Sequence, residues 1–135
     1  MISNSFLSRI LIVNLINLFL FTGVSSAQPG ALDSKFSTGS GFLFETGKSA
    51  AIYSMVLQPD GKIVVGGQFV SFNGNKCSHI VRLNADGSFD ESFNTGFGFN
   101  NPVRTVSIQA DGKIIAGGQF TSFDAKQQNH LLRLN

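Results

Sequence analysis

Short apolar segments separated by polar turns set the pattern of the chain after residue 50. Ile52–Leu57 is rich in apolar residues, and Lys62–Phe72 is β-branched and aromatic apart from its glycines. His79–Asn84 and Ser88–Phe93 alternate between apolar and polar positions. Segments of this length and pattern are typical of β-strands. The sequence therefore predicts four strands between Ile52 and Phe93.

Asp-Gly pairs stand beside the predicted strands, at Asp60-Gly61, Asp86-Gly87 and Asp111-Gly112. In the first of these turns, Pro59 fits the second position of a type I turn, where φ lies near −65°. The glycine fits the position at which φ becomes positive. We therefore expect three-residue hairpin loops with a glycine bulge, which join strand one to strand two and strand three to strand four.

The pattern returns after 51 positions. Residues 54–84 and 105–135 align without a gap and are identical at 15 of 31 positions. A weaker echo relates residues 32–42 to residues 89–99, with six identities in eleven. The chain therefore contains the end of one unit, one complete unit and most of another.

One glycine pair lies inside the second predicted strand of each unit, at Gly66-Gly67 in the first and at Gly117-Gly118 in the second. Glycine weakens a strand, so such a pair marks a bulge or a close approach of another part of the backbone. A phosphate-binding loop would need a following helix and a Lys-Ser or Lys-Thr pair, and neither follows these glycines. We interpret the four glycines as sites of close packing.

Four strands in about 51 residues match the size of one β-propeller blade, whereas solenoid repeats built on one strand are much shorter. The chain resembles the delta-60 repeat in the segments QPDGKIVVGGQF and IVRLNADGSFDESF. That bacterial repeat is assigned to β-propeller-like domains of uncharacterised function. The resemblance implies an all-β fold of about two four-stranded antiparallel blades in an incomplete ring. Because the family typically carries many repeats, we interpret the chain as a fragment of a longer protein.

The first 27 residues are typical of a secretory signal peptide. Arg9 precedes the apolar run Ile10–Phe21, and the small residues Ser25 and Ala27 fit cleavage after Ala27. A helix over this run would rise only about 18 Å, too short for a hydrocarbon core of about 30 Å. We expect export, cleavage, and no stable membrane span in the mature chain.

These assignments divide the chain into four parts. They are the signal peptide at 1–27, an N-terminal segment at 28–49 with the last strand of a partial blade, blade 1 at 50–100, and a truncated blade 2 at 101–135.

Composition narrows the range of functions. Lys and Arg number 10 against 8 Asp and Glu, so the chain without Arg9 carries a net charge of only +1. This balance gives no electrostatic basis for binding nucleic acid or an anionic membrane surface. The chain has 14 Phe, one Tyr and no Trp, which leaves Tyr53 as the one platform typical of sugar binding.

No set of residues has the spacing of a catalytic, metal or cofactor site. The Asp-Gly turns carry too few acidic ligands for a calcium loop. His79 and His130 are repeat equivalents but lack a third ligand, and the lone Cys77 has Gln128 at its equivalent position. A lone thiol is more often a small apolar filler than a nucleophile. We therefore predict no metal, no cofactor and no enzymatic activity.

These observations favour a secreted, non-enzymatic repeat module that serves as a scaffold or recognition surface for an extracellular protein or glycan. The alternative is part of a secreted hydrolase or other enzyme whose catalytic residues lie in further blades or in a further C-terminal domain.

The ends of the repeat predict open strand edges. Residues 33–36 correspond to a fourth strand that lacks the first three, and residues 130–135 to a third strand that lacks a fourth. Two blades cannot close a ring, so we expect self-association through these edges, or disorder of residues 28–45.

The repeat also predicts ion pairs across its hairpins. Arg82 and Asp90 would face each other within blade 1, a pair worth a few tenths of a kcal/mol. By analogy, Arg133 of one chain would pair with Asp33 of another.

Overall fold

The computed structural model describes residues 30–45 and 48–135, and among these it contains strands and turns but no helix. This confirms the predicted all-β class. The strands are β1 (Phe42–Leu43), β2 (Ala51–Leu57), β3 (Ile63–Gln68), β4 (Ser71–Phe72), β5 (Asn75–Lys76), β6 (Ile80–Leu83), β7 (Val103–Ile108), β8 (Ile114–Gly118), β9 (Ser122–Phe123), β10 (Lys126–Gln127) and β11 (Leu131–Leu134). Residues Ser34–Asn135 form one compact unit. The predicted signal peptide and its cleavage site lie outside the described residues.

Two antiparallel sheets of three strands form the two repeats. The strand order is β2-β3-β6 in blade 1 and β7-β8-β11 in blade 2. In blade 1, Val64 lies opposite Val56 and Arg82. In blade 2, Ile115 lies opposite Ser107 and Arg133, and these are the residues 51 positions later. The sequence repeat is therefore also a repeat of strand register.

The predicted strand Lys62–Phe72 is divided in two. β3 ends at Gln68, and β4 pairs with β1 and β5 rather than with the main sheet. The Phe69 carbonyl accepts a hydrogen bond from the His79 N–H, and the Val70 N–H donates to the Leu43 carbonyl. The prediction of one continuous strand is wrong because the chain leaves the sheet where it buries the ring of Phe69.

The fourth strand predicted over Ser88–Phe93 does not form. Phe89 makes one bridge to Leu83, and the chain then turns. The Asp90 carboxylate accepts hydrogen bonds from the N–H and the hydroxyl of Ser92. A short polar side chain that bonds to backbone two residues later favours a turn over a strand. The blades are therefore three-stranded sheets with small accessory hairpins, not four-stranded sheets.

Residues 33–36, which were expected to be the last strand of a partial blade, do not form a strand. The N-terminal segment instead contributes β1 to blade 1, where Phe42 packs against Phe69 and Phe72 with ring centres 4.7 and 4.8 Å away. Phe99 packs in the same way against Phe120 and Phe123 in blade 2, at 4.4 and 4.8 Å. The ring contacts of Phe42 and Phe99 therefore join the segment that precedes each blade to that blade.

The two blades pack against each other through a glycine. Val64 and Ile80 of blade 1 share one hydrophobic cluster with Val103 and Val106 of blade 2. A Cβ added at Gly66 would lie 2.7 Å from Cγ1 of Val103. Since real Cβ atoms are not found so close, this contact requires glycine at position 66.

Candidate functional site

The three Asp-Gly turns share one geometry. Gly61, Gly87 and Gly112 have φ values of 85°, 84° and 82°, which other residues rarely adopt. Each glycine N–H donates to the carbonyl three residues earlier, at 3.0, 3.0 and 2.9 Å. The carboxylates of Asp60, Asp86 and Asp111 each accept a bond from the N–H two residues later, at 3.1, 3.0 and 3.2 Å. These carboxylates hold their own turns, which is a structural role.

The strand glycines lie opposite a bulge in the neighbouring strand. β2 carries the extra residue Tyr53 opposite Gly66-Gly67, and β7 carries Arg104 opposite Gly117-Gly118. A Cβ added at the second glycine of either pair would overlap a backbone carbonyl oxygen, that of Ala51 in β2 or that of Pro102 just before β7. The glycines therefore allow the bulge, and the bulge redirects one side chain in each blade.

The two bulges bring together four side chains, which we call the bulge row: the exposed Tyr53, Arg104 and Gln119, and the half-buried Gln68. The guanidinium carbon of Arg104 lies 4.2 Å from the centre of the Tyr53 ring. The Tyr53 hydroxyl donates to Oε1 of Gln68 at 2.9 Å, and Nη2 of Arg104 donates to Oε1 of Gln119 at 3.0 Å. Both members of the stack are thus held in place by an amide from their own blade.

The bulge row presents a fixed positive charge beside a hydroxyl and two amides. A guanidinium has five N–H donors in a planar fork, and it matches the two oxygens of a carboxylate better than an ammonium does. Stacking on an exposed aromatic ring is worth about 0.5–1 kcal/mol. That is enough to favour one orientation of the guanidinium before a ligand arrives.

Reasoning from the sequence missed Arg104, Gln68 and Gln119. Tyr53 was considered only as a platform for a sugar, and the structure shows Arg104 over its ring. The available signal was that positions 53 and 104 are repeat equivalents with different chemistry, each facing a Gly-Gly-Gln segment. Only the strand register shows that both are bulge residues.

A second polar cluster lies at the edge of blade 1. Asp90 is 5% exposed, and its Oδ2 accepts from Nε of Arg82 at 2.6 Å and from Nζ of Lys62 at 2.9 Å. Burial raises the pKa of the Asp90 carboxyl, but hydrogen bonds from Ser92, Lys62 and Arg82 outweigh it and hold the pKa well below the usual range. The expected pair of Arg82 and Asp90 is thus present, with Lys62 as a third member.

Cys77 and His79 are both buried. Burial raises the pKa of the Cys77 thiol to about 12, so the reactive thiolate is suppressed. Burial also lowers the pKa of His79. His79 and His130 both have positive φ, 68° and 63°, and the N–H of each donates to the carbonyl of Phe69 or Phe120. The two histidines therefore lie at the same backbone kink, which is repeated in both blades.

Neither a cluster of metal ligands nor a membrane-spanning helix occurs in the part of the chain that the structure describes. In residues 30–45 and 48–135, no three His, Cys, Asp or Glu side chains lie close enough together to hold a metal ion. The same residues contain no helix of the length and apolar character needed to cross a bilayer.

Comparison with known proteins agrees with the fold. Residues 58–93 and 109–135 match the family described as "Domain of unknown function (DUF5122) beta-propeller". The matched ranges cover β3 to β6 with the Asp90 cluster, and β8 to β11. No significant match was found among curated proteins or solved structures. Over both of its repeats, the chain is therefore similar to a β-propeller domain of unknown function.

Proposed function

We propose that this chain is an exported, non-enzymatic recognition module of the delta-60 repeat type, and that the bulge row is the surface that contacts its ligand. The supporting observation is the exposed stack of Arg104 on Tyr53, in which each side chain is held by a glutamine of its own blade. A surface that is ordered before binding loses less conformational entropy when the ligand arrives.

The ligand that fits this surface is an extracellular molecule that carries carboxylate groups. The Arg104 guanidinium supplies the charge and the forked donors, while the Tyr53 hydroxyl and the amides of Gln68 and Gln119 supply neutral hydrogen-bonding groups around it. The same chemistry would accept a uronic acid in a polysaccharide or an acidic side chain in a protein.

The test is binding of the exported chain to immobilised polygalacturonate and to an oligoglutamate peptide, with neutral dextran as the reference. Arg104→Ala should weaken binding to the acidic ligand by about tenfold, the equivalent of 1.4 kcal/mol. Lys126→Ala, which removes an exposed cation from β10, is the matched control and should bind as the parent does. Equal losses for both variants, or no preference for the acidic ligands over dextran, would refute the proposed role of the bulge row.

Export is tested separately. The chain produced with its own N-terminus in a secreting bacterium should begin at Gln28, because cleavage is expected after Ala27. N-terminal sequencing that finds Met1 on the exported chain would contradict this part of the proposal.

A further inference from the structure

Each blade has two faces that differ in shape, and we name them by what they do at the contact between the blades. The inserting face consists of Val103, Val106 and Ile108 in blade 2, and of their equivalents Ile52, Met55 and Leu57 in blade 1. The receiving face consists of Val64, Gly66 and Ile80 in blade 1, and of their equivalents Ile115, Gly117 and Leu131 in blade 2.

Within the chain, the inserting face of blade 2 lies on the receiving face of blade 1. Val103 and Ile80 are fully buried at this contact, and Val106 is 7% exposed. The Val106 N–H also donates to the Ser54 hydroxyl of blade 1 at 3.1 Å. This contact shows directly what an inserting face and a receiving face of this sequence do when they meet.

Among the described residues, the other two faces carry exposed apolar side chains, although Gly117 itself is buried and Ile115 is half-buried. On the inserting face of blade 1, Ile52, Met55 and Leu57 are 43%, 62% and 68% exposed. On the receiving face of blade 2, Leu131 is 63% exposed, although its equivalent Ile80 is fully buried. The chain thus exposes apolar side chains at the same positions that it buries between its blades.

The open faces also keep the features that make the internal contact fit. Gly66 accommodates Val103, and blade 2 repeats this glycine as Gly117, whose nearest neighbours beyond its own chain segment belong to blade 2 itself. Ile52 stands at the position of Val103 on the exposed inserting face. Thr105 stands at the position of Ser54, so the hydroxyl that accepts the bond between blades is kept as well.

We propose that the open inserting face of blade 1 binds the open receiving face of blade 2 in a second copy of this chain. Ile52 of one copy lies on Gly117 of the next, and the Thr105 hydroxyl of one accepts a bond from the Met55 N–H of the other. The contact is head-to-tail, so it generates a ring if the rotation closes and a filament if it does not. Propellers usually have about 4–8 blades, the number that about two to four copies of these two blades would supply.

This proposal differs from association through strand edges, which the sequence alone suggested. Pairing of edges would use backbone groups and would depend little on the exposed apolar side chains. Packing of faces depends on Met55 and Leu131, which lie on different blades and on different faces. A substitution at either position therefore separates the two modes of association, and the proposal does not depend on the ligand of the bulge row.

The test is sedimentation velocity on the exported chain, the variants Met55→Lys and Leu131→Lys, and the control Phe97→Lys, which changes a side chain that is 72% exposed and belongs to neither face. The parent and the control should associate as the concentration rises. Each face variant alone should be monomeric, with a dissociation constant raised at least about a hundredfold, or 2.8 kcal/mol. Melting temperatures measured at low concentration verify that the variants fold. Ile52→Lys is a second variant of the inserting face and should also be monomeric.

Mixing the two face variants gives the decisive result. Leu131→Lys keeps an intact inserting face and Met55→Lys keeps an intact receiving face, so an equimolar mixture should form a dimer with one contact and no larger species. The proposal is refuted by a parent chain that remains monomeric at about 1 mM, by a face variant that associates as the parent does, or by a mixture that stays monomeric.

Discussion

Blade 1 and blade 2 have nearly the same strands but differ in what covers them. Met55 in β2 is 62% exposed, whereas its equivalent Val106 in β7 is 7% exposed. Ile80 in β6 is fully buried, whereas its equivalent Leu131 in β11 is 63% exposed. Apolar residues occupy both members of each pair, so residue type does not decide the burial. The repeated sequence determines which residues form strands, and contact with the neighbouring blade determines whether a side chain is buried in the core.

The charged residues show the same dependence on neighbours. Lys62 reaches the buried carboxylate of Asp90, which also binds Arg82. Its equivalent Lys113 instead pairs with the exposed carboxylate of Asp111 in its own turn. One Asp-Gly-Lys segment therefore serves a partly buried three-residue cluster in blade 1 and a local surface pair in blade 2.

The largest difference between the blades is expected at their equivalent glycines. Gly66→Val should lower the free energy of unfolding by about 3 kcal/mol, because the new side chain would overlap Val103. Gly117→Val should cost about 1 kcal/mol, because the one close neighbour of its Cβ would be the side chain of Thr105, at 3.0 Å, and the next lies at 3.7 Å. Urea denaturation at low protein concentration measures both. Equal losses would show that the packing of one blade on the other does not distinguish the two positions.

Asp90→Asn should cost about 2 kcal/mol at neutral pH, the contribution of hydrogen bonds to a buried charged group. The pKa of Asp90 is lower in the folded chain than the ordinary value of 3.8, so the folded state binds fewer protons than the unfolded state between these values. The stabilisation is present above the ordinary value and is lost as the pH falls through the folded value.

The pH dependence provides the control for this variant. Between about pH 5 and about pH 2, the parent should lose stability more steeply than Asp90→Asn. Chemical denaturation at a series of pH values measures the two slopes. Parallel curves would mean that Asp90 does not titrate as the cluster requires.

Substitution of the turn glycines should cost different amounts of stability, because different groups surround them. Gly112→Ala should cost about 1 kcal/mol from the positive φ alone, because a Cβ there would have no neighbour within 4 Å. Gly87→Ala should cost about 2 kcal/mol, because its Cβ would also press on the Ser37 carbonyl oxygen at 3.1 Å. Thermal melting compares the two variants. A larger loss at Gly112 would contradict the docking of the N-terminal segment on this turn.

The smallest expected difference concerns the two lysines. Lys62→Met should cost about 1 kcal/mol, because it removes a partner of a buried carboxylate. Lys113→Met should change stability by less than about 0.5 kcal/mol, since its pair with Asp111 is exposed. Denaturation curves at low and high salt should show screening of the second pair more than the first. The reverse order of the two losses would argue against the Asp90 cluster.

Sequence reasoning succeeded where the structure depends on local chemistry. The positive φ that a hairpin loop requires could be assigned to Gly61, Gly87 and Gly112 from the turn pattern, and the alternation of apolar residues predicted the all-β class. It failed where a local bond competed with the pattern. Ser88–Phe93 alternates as a strand does, but the bonds from Ser92 to Asp90 turn the chain.

The remaining features depend on contacts between distant parts of the chain. The bulges at Tyr53 and Arg104 become visible only from the pairing of β2 with β3 and of β7 with β8. The sequence indicated close packing at Gly66 but could not show that Val103 of the next blade is what packs there. The bulge row and the difference between open and covered faces could not be predicted for the same reason.

The most direct test of the packing between the blades is a double-mutant cycle at Gly66 and Val103. Gly66→Ala should destabilise by overlap, and Val103→Ala should cost about 2 kcal/mol by leaving a cavity. Because the smaller residue at 103 makes room for the new methyl at 66, the double variant should be more stable than the sum of the two losses predicts, by about 1 kcal/mol or more. The matched cycle of Gly117→Ala with Val103→Ala should be additive. Additivity within about 0.5 kcal/mol in both cycles would contradict the account, because it would mean that Val103 of blade 2 does not lie against Gly66 of blade 1.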